Sequence, residues 1–362
     1  MELELTTGPL DELRLQAVAG LYGGFNRKYG DPGFCHRLFD ENPQGPSLHA
    51  LVLDGPGEVV GHYAIVPLDI FRDGQRRRAG KGEAFVVRPD RRAATLSVAG
   101  AEPVPIGFAM PLHLYRYALE QGMELVHMIA SPDVGLIHRM TGCRSLAVRS
   151  ARAGLAVRPG VPFLAGEPAA ARAARAALTL AQCGASALAR AATLSWLGRV
   201  RHQSVAALDA EVLARIALDA RVADGWTLAV DAPALTWMAK TGGLEVIALD
   251  DGLEDYAVVA ARAGEGRVME TVLWRQRSRG LRPALRLLAA VARRAERQDD
   301  LRVEVSLAAA REGEERDRLR AAARLLCFRE RAQVPGMYLF TADGYYLDPR
   351  NIRFTPFFYA IF

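Results

Sequence analysis

Cysteine is scarce and scattered in this sequence: Cys35, Cys143, Cys183 and Cys327 are the only four in 362 residues, and none belongs to a CxxC pair. Such spacing argues against both a zinc site and a disulfide framework, and leaves reduced, buried thiols as the expected state. Metal-binding and hydrolytic motifs are missing as well: there is no H-E-x-x-H, no compact carboxylate cluster, no G-x-S-x-G elbow and no Walker loop. No metal is therefore expected. Although 50% of the chain is hydrophobic, no uninterrupted apolar run reaches the length of a membrane span. The N-terminal MELELTTGPLDELR is acidic and has neither the basic nor the apolar region of a signal peptide. A cytoplasmic protein with no membrane partner is the expectation. Charge of one sign is also in short supply. Lys plus Arg number 46 against 41 Asp plus Glu, a formal +5 carried nearly all by arginine, and no block of five or six basic residues marks a nucleic-acid partner.

What the chain does contain is a long succession of strand-like and helix-like segments, with enough apolar residues for one or two cores. Leu10–Tyr29 has helical spacing that Asp31-Pro32 ends, and Phe34–Asp40 predicts a second short helix. Leu48–Leu53 and Glu58–Pro67 flank Asp54-Gly55-Pro56-Gly57 and predict a hairpin; Ile70–Ala79 turns at Asp73-Gly74. Next come a buried strand (Glu83–Val87), a sharp Pro-Asp turn, a helix from about Pro111 to Gln121, and a strand at Leu125–Ala130. A short helix opens at Ser131-Pro132-Asp133 and stops at Gly142, and Ser145–Leu155 predicts one more strand. An alanine- and arginine-rich run within 159–206 predicts a helical connector. From Asp209 a second series follows, with strands at Leu244–Leu249, Tyr256–Ala261, Met269–Trp274 and Leu301–Leu307, helices at Pro283–Arg297 and Ala308–Leu326, and closing strands near Met337–Phe340 and Ile352–Phe358. Its element order repeats that of the first half, which implies a structural duplication.

Two stretches carry a resemblance. Val87-Arg88-Pro89-Asp90-Arg91-Arg92 is similar to the strand end V-x-P and following turn of the GNAT acyltransferase superfamily, and Gly107-Phe108-Ala109 resembles the G-x-A that opens its next helix, displaced here by Ala93–Pro105. Ser131-Pro132-Asp133 and Gly142-Cys143 resemble the start and end of the family's N-x-x-A-x-x-x-Y-x-x-x-G-F segment, with His138 at the tyrosine position. The resemblance covers about Leu48 to Leu146; the second half shares element order only. It implies an α+β protein of two GNAT-like domains, each a mixed, mostly antiparallel sheet flanked by helices. The expected division is an N-terminal acyltransferase domain over 1–158, the connector over 159–206, and a C-terminal, non-catalytic GNAT-like domain over 207–362.

The implied activity moves an acetyl or other acyl group from coenzyme A to a primary amine of a small molecule by direct attack. Acyl-CoA would be held by Val86, Val87, Arg91, Arg92, Gly107, Phe108, Ala109 and Ser131. The amides of a first helical turn, backed by the helix dipole, stabilise a phosphate, and a glycine lets the backbone come close; Pro111 would remove one of those amides. A protonated amine must lose a proton before it attacks, and Glu83 stands where several family members carry a general base. Lys81 could form an ordinary surface pair with it, and His62 is an alternative base, otherwise a hydrogen-bonded core histidine. His138 could protonate the departing thiolate in place of the tyrosine, while His127, between apolar neighbours, reads as structural. A non-catalytic module binding acyl-CoA or a protein partner is the alternative, and a homodimer is compatible with either. A related fold taking aminoacyl-tRNA as donor would need a strongly basic groove, which the sequence does not show.

Overall fold

The structure is a computed structural model that describes residues 1–341 apart from 25, 27, 56, 73, 98–101, 130–131, 148–149, 158–167, 195–199, 222–225, 251, 263–267, 299, 301, 312 and 334–335. The strand expected at Ile352–Phe358 lies outside the described residues. The chain begins with β1 (Glu2–Thr7), α1 (Glu12–Tyr22), α2 (Pro32–Phe39), β2 (Leu48–Leu53), β3 (Val59–Pro67), β4 (Ile70–Arg72), β5 (Gln75–Arg77) and β6 (Ala79–Val87). Then come β7 (Thr95–Leu96), β8 (Val104–Pro105), α3 (Ile106–Glu120), β9 (Leu125–Ile129), α4 (Pro132–Met140), β10 (Arg144–Ala147), β11 (Ser150–Ala156) and α5 (Ala169–Leu194). The second half runs through β12 (Arg201–Ser204), α6 (Ala210–Ala220), β13 (Trp226–Leu228), α7 (Ala232–Gly242), β14 (Leu244–Ala248), β15 (Asp255–Arg262) and β16 (Val268–Gln276). It closes with α8 (Leu281–Arg297), β17 (Arg302–Ser306), α9 (Glu314–Leu325), β18 (Arg329–Gln333) and β19 (Gly336–Thr341).

Local chemistry explains several boundaries. The Asp11 carboxylate accepts from the Arg14 amide at 2.8 Å to start α1, and Asp31 accepts from Gly33 at 3.0 Å to start α2, with Pro32 at its first position. α3 begins at Ile106, five residues before the expected Pro111, because Ile106, Ala109 and Met110 already bury one face and the Ala94 carbonyl accepts the Ile106 amide at 3.0 Å. Pro111 therefore sits beyond the first turn. It removes the donor for the Gly107 carbonyl and leaves the first-turn amides intact, contrary to the expectation.

Two seven-stranded sheets share one pattern. The first has the order β1-β2-β3-β6-β9-β19-β10 and the second β12-β14-β15-β16-β17-β11-β18. In each, one central pair is parallel, β6 with β9 and β16 with β17, and every other pair is antiparallel. The sixth position of each sheet is filled from the other half of the sequence: β19 lies between β9 and β10, and β11 between β17 and β18. The expected single strand Ser145–Leu155 is thus two strands serving different sheets.

The compact units follow this exchange. The first holds Met1–Val148, Arg221–Trp237 and the segment carrying β19; the second holds Arg149–Ala220 and Met238–Gln333. They differ from a division at 158 and 207 because sheet membership, rather than chain order, sets which residues pack together. α5 belongs to the second unit, where Gln182 Nε2 donates to the Cys327 carbonyl at 3.0 Å and Cys183 Sγ to that of Ala156 at 3.2 Å. It is docked on that unit's fold. The first unit's core packs Leu48, Ile65 and Val126 of the sheet against Met110, Leu114 and Tyr115 of α3. The second packs Ile247, Trp274 and Val303 against Leu287 and Leu288 of α8 and Leu319 of α9.

Candidate active site

The first unit's sheet opens at its centre. β6 and β9 pair at three positions only, Ala79 with Leu125, Gly80 with Val126 and Lys81 with His127, among the described residues. β6 nevertheless runs on to Val87 beside β3, with Val87 opposite Gly61. The Arg88 amide donates to the Val60 carbonyl at 2.9 Å. Antiparallel neighbours alternate between bonded and non-bonded pairs, so Val86 is turned toward β3 while Val87 directs its N–H and C=O to the opened edge.

A bulge in β6 sorts the side chains around that opening. The register against β3 shifts between His62 and Ala64, and Ala84 has φ +57°, a left-handed backbone that costs a residue with a Cβ about 1–2 kcal/mol. The extra residue reverses the in-and-out alternation, so Glu83 and Phe85 lie on opposite faces. Glu83 is on the α1 and α2 side. Its Oε2 accepts from Tyr29 Oη at 2.7 Å, and its Oε1 pairs with Lys81 Nζ. The pair with Lys81 is therefore made, although Lys81 is only 4% exposed: an interior strand places both groups inside, where a surface pair was expected.

Tyr22 Oη donates to the Ala84 carbonyl at the bulge and lies 3.3 Å from His62 Nδ1. His62 Nε2 in turn is 3.1 Å from His49 Nδ1. Burial pushes His62 well below its ordinary value, helped by the neighbouring His49, and takes His49 down to about 3 and His127 to about 3. These imidazoles are neutral at physiological pH. His62 is a hydrogen-bonded core histidine rather than an exposed base. Burial raises Tyr22 and Tyr29 well above their ordinary value, with the Glu83 charge adding to it, so both phenols remain donors.

Phe85 is on the α3 and α4 side, in an aromatic cluster. Its ring meets Tyr63 edge-on at 5.4 Å and lies 6.4 Å from the His138 ring. Tyr115 Oη is 2.6 Å from His138 Nδ1, 3.0 Å from Tyr63 Oη and 3.0 Å from Met128 Sδ. Phe340 of β19 stacks on Tyr115 at 5.0 Å. His138 is buried, and burial lowers it to about 4. At neutral pH it is an uncharged imidazole. When the Tyr115 hydroxyl donates to Nδ1, the ring proton resides on Nε2. A phenol from α3 thus meets the imidazole of α4. Its signal in the sequence was weak, because Tyr115 sits at a core position of an apolar helix.

At the turn after β6, Arg91 pairs with Asp54 at 2.6 Å and Arg88 with Asp90 at 2.7 Å. Arg92 is exposed, and its Nε lies 3.4 Å from the Val87 carbonyl, at the lip of the opening. Within Ala93–Pro105, β7 and β8 pair antiparallel, Thr95 with Pro105 and Leu96 with Val104, just before α3. A Cβ built on Gly107 would meet Phe85 Cζ at 3.9 Å and Ile137 Cδ1 at 3.8 Å, so the first turn of α3 abuts the Phe85 ring. Phe108 is half-buried and Ala109 buried. The structure therefore sets Arg92 beside the Val87 carbonyl and Gly107 beside Phe85, keeps Arg91 in its ion pair with Asp54, and leaves Ser131 outside the described residues.

No protein-family model matches this sequence, and no curated protein matches it either. Among solved structures it is similar to a tandem GNAT protein from the clavulanic acid biosynthesis pathway, solved without AcCoA: 14% identity, TM-score 0.55, covering 96% of this chain and 100% of that one. The chain has a tandem GNAT fold. It is also similar to a conserved protein of Enterococcus faecalis V583 described as a probable N-acyltransferase, with 11% identity, TM-score 0.54, and 94% and 72% of the two chains covered. A third similar structure is a GCN5-related N-acetyltransferase from Anabaena variabilis, with 13% identity, TM-score 0.50 and coverage of 93% and 72%.

The two GNAT units differ at the corresponding corner. In the second unit β16 and β17 also pair, among the described residues, only from Val268–Arg302 to Thr271–Val305 before parting. There, however, three amides from the end of β16 toward α8 are bound by carboxylates. Gln276 N donates to Glu315 Oε1 at 2.5 Å, and Arg277 N and Ser278 N donate to Asp255 Oδ1 at 2.9 and 3.0 Å. Gln276 Nε2 also binds the Ser278 and Gly280 carbonyls at 3.0 and 2.8 Å. Carboxylates of the chain itself thus hold these three amides ahead of α8.

Proposed function

We propose that the first unit is an acyltransferase that moves an acyl group from acyl-CoA to the amine of a small molecule, and that the second unit is non-catalytic. The observation that carries this reading is the parting of β6 from β9 beyond Lys81 and His127, with the Val87 amide facing the gap beside the start of α3. Donors fixed in such a gap stabilise the oxyanion of a thioester under attack without reorganising. The first-turn amides at Gly107 and Phe108, with Arg92, supply a cradle for the diphosphate of coenzyme A. The neighbouring tandem GNAT protein, whose description names AcCoA, supports the same ligand class.

In the reaction the amine gives a proton to Glu83, its nitrogen forms a bond to the thioester carbon, and the bond from carbon to sulfur breaks. The Glu83 carboxylate keeps lone pairs for this beyond those engaged by Lys81 and Tyr29. The second proton that the nitrogen loses as the amide forms passes through water to the departing thiolate, which accepts a hydrogen bond from His138, held by Tyr115. His138→Phe should lower turnover while leaving coenzyme A affinity largely unchanged; equal turnover would remove His138 from the reaction.

The burial of His138, with its basicity lowered to about 4, favours a second reading: a module that binds acyl-CoA without turning it over. Calorimetric titration with coenzyme A, followed by thiol release from acetyl-CoA across a panel of amines, separates the two. Binding with release for at least one amine supports the transferase, binding without release supports the module, and no binding overturns both.

A further inference from the structure

The wedge between β6 and β9 is filled from below. A Cβ on Gly82 would lie 2.1 Å from Tyr63 Oη and 3.3 Å from Met128 Cβ, so the tyrosine hydroxyl rests directly on the β6 backbone. Tyr63, Tyr115 and Met128 are each at most 1% exposed, and their polar atoms bond to one another and to His138. Above them Phe85 is only half-buried. Its ring reaches from the bulge to the first turn of α3, within 3.9 Å of the Gly107 Cβ position. The bulge at Ala84 is what places it there; regular alternation would put Phe85 on the Glu83 face.

We propose that Phe85 is the floor of the acyl slot and restricts the donor to short chains, acetyl above all. The proposal rests on the acyl-CoA reading of this corner. A slot that admitted a chain would bury its methylenes, and each buried methylene adds roughly fourfold to affinity. With the wedge packed by Tyr63 and Phe85, a longer chain finds no such volume and gains nothing.

The test is equilibrium binding of coenzyme A, acetyl-CoA and hexanoyl-CoA to the full chain and to its Phe85→Ala and Phe85→Leu variants, by calorimetry. The parent should bind acetyl-CoA at least as tightly as hexanoyl-CoA, and Phe85→Ala should shift the ratio toward hexanoyl-CoA by about tenfold or more. Phe85→Leu, which keeps most of the core packing, should shift it less. A parent that binds hexanoyl-CoA more than about tenfold tighter than acetyl-CoA overturns the proposal, as does an unchanged ratio in both variants. Failure to bind coenzyme A itself would overturn the underlying reading, and that outcome is distinguishable from a missing chain-length preference.

Discussion

Glu83 and His138 owe their properties to different surroundings. Glu83 retains partial access to solvent, with side-chain exposure of 14%, between a tyrosine donor and a lysine. Glu83→Gln preserves its shape and removes its ability to accept a proton, so it should reduce turnover by about 10²–10⁴-fold. Coenzyme A affinity should stay within about twofold, and thiol-release kinetics beside calorimetry check both halves. His138 is closed off, and that makes stability depend on pH. An unfolded chain protonates histidine near its ordinary value of about 6.5, whereas native His138 resists until about 4. The unfolded state therefore binds more protons between those values. Stability is full above about 6.5, falls as pH drops toward 4 and levels off below it, a loss on the order of 3 kcal/mol from this group. Urea unfolding at neutral pH and near pH 4 should show a shallower loss for His138→Gln than for the parent. Equal losses would show that His138 makes no contribution and that the fall comes from the other buried histidines, His49, His62 and His127.

At the scale of elements, β6 and the turn after it decide the site. Gly82 is needed where Tyr63 lies on the strand, so Gly82→Ala should destabilise the chain by roughly 1–3 kcal/mol through overpacking, read as a lower urea midpoint with an unchanged slope. The turn arginines should separate. Arg92→Ala should weaken coenzyme A binding by roughly tenfold or more, and Arg91→Ala much less, because Arg91 is bound to Asp54; equal effects in calorimetry would contradict this assignment. Much of this was legible beforehand. The strand ending at Val87, the turn at Pro89 and the glycine opening of α3 all stand in local sequence, because proline and glycine act through their own backbone. The bulge at Ala84 was not legible, since alanine gives no sign of a left-handed backbone. Without it the opposite placement of Glu83 and Phe85 could not be inferred. Tyr29 and Tyr115 were missed for a related reason: a tyrosine among apolar residues reads as core until its hydroxyl is found 2.7 Å from a carboxylate or 2.6 Å from an imidazole.

At the scale of the whole molecule, the exchange of β11 and β19 ties the halves of the sequence to each other's sheets. A fragment of residues 1–158 would lack β19, leaving β9 and β10 without the strand between them and Tyr115 without the Phe340 ring. Such a fragment should fail to show cooperative unfolding by circular dichroism, whereas the full chain should show it. A fragment that unfolds cooperatively and binds coenzyme A would make the exchange dispensable. Among the described residues no helix is long and apolar enough to cross a membrane. The sequence by itself determined the elements, their repeated order and the chemistry of the strand end and helix start, because helical periodicity, strand alternation and turn residues act within a few positions of one another. The tertiary structure alone decided which strand completes which sheet, where β6 parts from β9, and which groups are buried. Those outcomes depend on pairing between residues far apart in the chain, and an alternating strand such as β11 presents the same pattern to either sheet.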